Sequence, residues 1–174
     1  MSLVETVVKN SLIGAKGLWN EPGSPVQIPT TCHFATMFWL FQTEYGRDPT
    51  LNEIIGFGAV QAAVGRMVPF GVRKTCPTYG PLTLTMGSIL VFNTPTSPGH
   101  SCVAIGAQVV GGYNQTGWWK LPGVKDGYSS HQTTQLRWGN GADKNRVESG
   151  AKWYELYEVR EASARQVLRS LTAG

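Results

Sequence analysis

The sequence predicts an α+β domain in which helices come first and an antiparallel sheet follows. Three observations carry this. Apolar residues recur at helical spacing through the first third of the chain, and from about residue 81 short β-type runs take over, separated by Gly, Pro and Asn. Hydrophobic residues make up 41% of the 174 and charged residues 15%, which suits one buried core and not a disordered chain. No internal repeat, low-complexity tract or linker interrupts the pattern, so residues 1–174 read as a single domain.

The elements follow in order. Ser2 and Glu5 form a capping-box pair ahead of Leu3, Val7, Val8 and Leu12, which predicts a first helix to about Trp19. Residues 20–31, with Pro22, Pro25 and Pro29, read as a loop. Thr30 or Thr31 caps a second helix through Cys32, Phe34, Met37, Phe38, Leu40 and Phe41; it is apolar nearly all round, hence buried, and Gly46 stops it. Thr50 with Glu53 is a second capping box, opening a third helix through Ile54, Ile55, Val60 and Val64 to about Met67. Thr83–Met86, Ile89–Phe92, Ser101–Ile105 and Gln108–Tyr113 read as strands, Thr133–Trp138 as a candidate strand, Lys152–Val159 as another, and Glu161–Leu171 as a terminal helix.

Fifteen Lys and Arg against eleven Asp and Glu leave a net charge of +4. The basic residues are scattered and form no stripe that would track phosphates, which argues against a nucleic-acid partner and suits an acidic protein surface or an anionic envelope. No stretch approaches a membrane span, so no membrane insertion is expected. Residues 1–19 carry Glu5 and Lys9 in an amphipathic pattern, unlike the apolar core of a secretory signal. Synthesis as a cytoplasmic chain is the expectation, with any export through a machinery that ignores such signals.

Cys32, Cys76 and Cys102 are odd in number, so at least one thiol is free unless chains pair. Cys32 falls in the first turn of the buried second helix. There the helix's positive end and unpaired N–H groups are expected to lower the thiol pKa and to hold a developing oxyanion. His100 opens a strand after the Pro95 to Gly99 turn, where it can act as base to a nearby thiol. An orienting group has three candidates: Asn114 on the following strand, Gln115 beside it on the other face, and Asp143 in a later Gly-rich loop; Asp126 is a weaker fourth. Each is also an ordinary turn former. Gln27, in the loop before Cys32, is a candidate oxyanion donor, and Tyr113, Trp118 and Trp119, with Trp138, are candidates to line a substrate groove. Cys32 and His33 with His100 and Cys102 match zinc by ligand type but lack paired knuckles, so neither metal nor cofactor is expected.

A Cys at a helix start, followed by Gly87-Ser-Ile-Leu-Val-Phe92, Gly99-His100 and Ala104-Ile-Gly106, resembles the papain-like cysteine hydrolase superfamily in its compact bacterial form, over about residues 30–115. NlpC-type peptidases have that layout, as do small secreted amidase and deamidase effectors. The order Cys, His, then a distant Asp is similar to the TecA-like effectors that deamidate host Rho GTPases. The resemblance implies N-terminal helices packed on an antiparallel sheet, Cys32 as nucleophile, His100 as base, and Asn114 or Asp143 as orienting residue. It also implies an oxyanion site from the Cys32 N–H and Gln27. Thr31-Cys32-His33-Phe34 departs from the Asp-Cys-Ser-Gly of most NlpC-type enzymes, and their third polar residue falls here near Tyr113 or Asn114. The expectation is therefore a bacterial effector or toxin that deamidates or cleaves a host protein, exported by a specialised secretion system, with an immunity or chaperone partner. One alternative is a peptidoglycan amidase used against competing bacteria. Another is a non-catalytic binding module.

Overall fold

Helix α2 (Cys32–Tyr45) runs through the middle of the protein, and its sequence explains why. Every residue in it is buried except Cys32, Gln42, Glu44 and Tyr45. A helix apolar on all sides needs neighbours on all sides. It has α1 (Leu3–Ile13), α4 (Val60–Gly65) and α5 (Glu161–Thr172) around it and the sheet beneath it. The computed structural model describes residues 1–13, 32–113 and 128–173.

Both capping boxes form. The Ser2 N–H donates to the Glu5 carboxylate at 2.6 Å while Ser2 Oγ accepts from the Glu5 N–H at 3.2 Å. Thr50 and Glu53 do the same at the start of α3 (Leu51–Gly56). The first helix is described to Ile13, and the rest of its expected length lies outside the described residues. The single helix expected from Thr50 to Met67 is two short ones, α3 and α4. Gly58 adopts φ +67°, the left-handed region that ends a helix, and the chain restarts at Val60.

The sheet comprises β1 (Val72–Lys74), β2 (Ile89–Asn93), β3 (Pro98–Ala104), β4 (Val109–Tyr113), β5 (Tyr128–Gln132), β6 (Val147–Ser149) and β7 (Lys152–Val159). All pairings among the described residues are antiparallel, in the order β1-β7-β2-β3-β4-β5, with β6 on the first half of β7. The architecture is α+β, with helices and an antiparallel sheet, as the hydrophobic pattern predicts.

Both faces of this sheet are covered. Ile89, Val91, Val103 and Val159 point toward the helices and join Phe34, Phe38 and Leu168 in one core. Leu90, Phe92, Cys102, Ala104 and Leu156 point the other way, under Leu82, Leu84, Leu136 and Val147. Strands buried on both faces read as unbroken apolar runs, which is the pattern of Ile89 to Phe92.

Thr83–Met86, expected as a strand, is a loop: Leu82 and Leu84 alternate into the second core, but the segment is held from outside the ladder. The Leu84 N–H reaches the Ala107 carbonyl at 2.7 Å, and the Thr85 N–H reaches the Glu158 carboxylate at 2.7 Å. Thr133–Trp138 likewise yields a 3-10 turn at Thr133–Gln135 and a lone bridge from Trp138 to Val147. Strands β1, β5 and β6 are short and polar, and pairing with neighbours creates them where periodicity shows nothing.

Candidate functional site

Cys32 is the first residue of α2 and sits half-buried where that helix meets β3. Strand alternation explains what its sulfur finds there. In β3 the Ala104 N–H points to the β2 side, bonding the Ser88 carbonyl at 2.8 Å, and the Ile105 N–H just beyond the strand points to the β4 side, bonding Val109 O at 3.0 Å. The Ser101 N–H therefore also points to the β4 side. Among the described residues, pairing of β3 with β4 covers Val103 and Ala104 and does not extend to Ser101. The Cys32 sulfur lies there, within reach of the N–H groups of Ser101, His33 and Cys32 itself.

These N–H groups favour the thiolate, as the helix start predicts. Burial opposes them and wins: the Cys32 pKa is raised from 9.0, not lowered. The expected thiolate-favouring shift at this helix start is thus corrected. The resting group is a thiol, because desolvation of the charge outweighs three N–H donors. Cys102, fully buried in the second core, is pushed well above the ordinary value by burial first and by the charge of Cys32 second. Cys76 is exposed.

His33 follows Cys32 on the buried side of the helix and is 6% exposed. Its Nδ1 lies 2.9 Å from Ser101 Oγ and its Nε2 lies 3.3 Å from the Pro98 carbonyl. Burial lowers its pKa from 6.5 to about 4, and the Pro98 carbonyl offsets only part of that. The ring is therefore neutral at pH 7. A carbonyl can only accept, so Nε2 carries the proton and donates to Pro98, and Nδ1 accepts the Ser101 hydroxyl. Thr36 Oγ1 stands 3.0 Å from Ser101 Oγ and donates to the Cys32 carbonyl at 3.0 Å. Gln61 Nε2 donates to the same Pro98 carbonyl at 2.6 Å. Gln61 and Pro98 also wall a groove of about 640 Å³ between α4 and the β2–β3 turn, with Arg66, Asn93 and Ser97.

His100 is 7% exposed and stands opposite Phe92 in the β2–β3 register, with ring centroids 5.4 Å apart at 63°. It shares the sheet face of Phe92 and Cys102, while Ser101 between them faces α2. Cys32 thus approaches β3 at the residue flanked by His100 and Cys102. Tyr154 stands on the same face as His100, with its ring 6.3 Å from that of Phe92.

The other expected residues fare differently. Asp143 closes a 3-10 turn, and among the described residues its carboxylate pairs with Arg146 at 3.4 Å, inside its own loop. Tyr113, expected to line an open groove, is 4% exposed and packs in the helix-side core, because β4 turns it toward α2. Trp138 packs partly buried against the second core. Gln27, Asn114, Gln115, Trp118, Trp119 and Asp126 lie outside the described residues. Among the described residues no group of three or more His, Cys, Asp or Glu side chains is placed to hold a metal ion. No helix there is long and apolar enough to cross a membrane.

Sequence reasoning overlooked the His33, Thr36, Ser101 and Gln61 network. One signal was present: His33 and Thr36, three apart in an otherwise apolar helix, share a face and must find polar partners once buried. No protein-family model matches the chain, and no curated protein or solved structure matches it significantly.

Proposed function

We propose that the protein is a cysteine-dependent amide hydrolase of papain-like type, with Cys32 as nucleophile and His100 as general base. The observation that carries this reading is the meeting of a half-buried thiol at a helix start with the strand segment that bears His100, where the backbone N–H groups of Ser101, His33 and Cys32 favour the thiolate. Such a cluster stabilises negative charge as it develops.

Because the resting group is a thiol, the proton leaves Cys32 during attack and passes to the His100 imidazole. The sulfur bonds to the amide carbon, and the oxyanion takes hydrogen bonds from the local N–H groups. The imidazolium returns its proton to the departing ammonia or amine, and water hydrolyses the thioester. Asn114, Gln115 or Asp143 orients the imidazole. The substrate is a protein amide in a target cell, as for an exported effector of the Rho-GTPase deamidase type; peptidoglycan is the alternative substrate.

A second reading, a non-catalytic binding module, is favoured by one observation: burial raises the Cys32 pKa, so no reactive thiolate stands ready.

An activated ester separates the two. With p-nitrophenyl acetate the hydrolase reading expects a nitrophenol burst and an acetyl adduct on Cys32. Both should be lost in Cys32→Ala, with acylation slowed about a hundredfold or more in His100→Ala. An adduct on Cys76 alone, or a burst indifferent to His100, sinks the hydrolase reading. Mass spectrometry of Rho-family GTPases, against muropeptide release from purified peptidoglycan, then separates the substrates.

A further inference from the structure

We infer that His33 is a positioning residue for the Cys32 site, clamping β3 at Pro98 and Ser101 so that the Ser101 backbone N–H is held on the Cys32 sulfur. Its place in catalysis rests on the hydrolase reading, but its effect on the thiol does not.

The geometry carries this. One imidazole spans two strand residues, with Ser101 Oγ on Nδ1 and the Pro98 carbonyl on Nε2. His100 lies between those two anchors, so the clamp sets the strand on either side of it. The Pro98 carbonyl has a second donor in Gln61, and the Thr36 hydroxyl oxygen stands 3.0 Å from that of Ser101. Helices α2 and α4 therefore both grip the start of β3.

Of the three N–H groups that favour the Cys32 thiolate, those of Cys32 and His33 belong to α2 and travel with the sulfur. Only the Ser101 N–H belongs to another element, and only that one depends on how the helix docks on the strand. Packing alone would be served by an apolar side chain at position 33. The buried imidazole instead fixes a register, because its two nitrogens bond Ser101 and Pro98 at once.

The experiment is alkylation of Cys32 by iodoacetamide against pH, read by peptide mass spectrometry, in the full chain and in His33→Leu and His33→Asn. Asparagine places an amide close to where Nδ1 stands and keeps the Ser101 partner; leucine removes both partners. Loss of a hydrogen bond to a charged group corresponds to about one pH unit. His33→Leu is therefore expected to move the alkylation midpoint up by about that much and to slow labelling at pH 8 about tenfold, with most of the effect recovered in His33→Asn. Thermal melting of the same samples reports any loss of folding separately. A midpoint unmoved in folded His33→Leu overturns the proposal, as does a shift equally large in His33→Asn. If His33→Leu does not fold, Ser101→Ala removes the Nδ1 partner and tests the same clamp, and an unmoved midpoint there is equally fatal. The titration needs neither turnover nor His100, so it and the ester burst can fail separately.

Discussion

The phenol ring of Tyr154 lies on the backbone of Gly99, in the space a side chain at position 99 would occupy. A Cβ there would come 2.9 Å from both Cζ and Oη of the tyrosine. The absent side chain thus lets β7 lay an aromatic ring across the start of β3, beside the Phe92 and His100 pair.

Gly99→Ala is accordingly expected to destabilise the fold by about 1–3 kcal/mol, as overpacking does. The urea midpoint checks this. The double variant with Tyr154→Ala should cost clearly less than the two single changes added together, because the clash is removed with the ring. Strict additivity would mean the two residues do not compete for space.

Acid should weaken the fold through His33. Its folded-state pKa of about 4 lies below the ordinary 6.5, so the unfolded chain takes up the proton first. Stability is then complete above about pH 6.5, declines as pH falls through the window to 4, and levels off below it. A gap of that size corresponds to about 3 kcal/mol. His131, also lowered by burial, adds to the same slope. Urea midpoints at pH 7.5 and 4.5 should differ less in His33→Asn than in the wild type; equal differences would show that His33 is not the group responsible.

Glu158 is 6% exposed and ties the turn before β2 to β7. Its carboxylate accepts from the Thr85 N–H and the Ser88 hydroxyl, each at 2.7 Å, and pairs with Lys74 at 3.4 Å. Glu158→Ala takes the carboxylate from the Thr85 N–H and leaves the Ser88 hydroxyl only the Thr85 carbonyl at 2.7 Å, and a loss of about 1–3 kcal/mol is expected. Glu158→Gln retains one acceptor oxygen and should lose less. Hydrogen exchange at Thr85 offers a local check, since protection there should fall in the alanine variant even if the rest of the fold survives.

The Cys32 thiol, raised above 9.0, should show an alkylation profile displaced to higher pH than that of a free cysteine derivative measured alongside it. Cys102 should resist labelling until the protein unfolds, because it is fully buried. Fast labelling of Cys32 at mildly acidic pH would contradict the burial argument and indicate a preformed thiolate.

Local rules made part of this protein legible in the sequence alone. The capping boxes at Ser2 with Glu5 and at Thr50 with Glu53 are visible because their partners lie within a single turn. The burial of α2 follows from an apolar composition that no amphipathic placement could satisfy. The bounds of β7, Lys152–Val159, were legible as well. The position of Cys32 at a helix start belongs with these.

Everything that required two distant segments to meet was decided by the tertiary structure. Strand β5 exists because β4 pairs with it, and the Leu82 and Leu84 segment is a loop because Glu158 and Ala107 hold it from elsewhere. His33 reads in the sequence as the neighbour of a cysteine. Only the docking of α2 on β3 makes it the anchor of Ser101 and Pro98. The sign of the Cys32 shift shows the same division. Two of the three N–H groups that favour a thiolate belong to its own helix, whereas the Ser101 N–H and the desolvation that outweighs all three come from packing, and packing is a property of the whole fold.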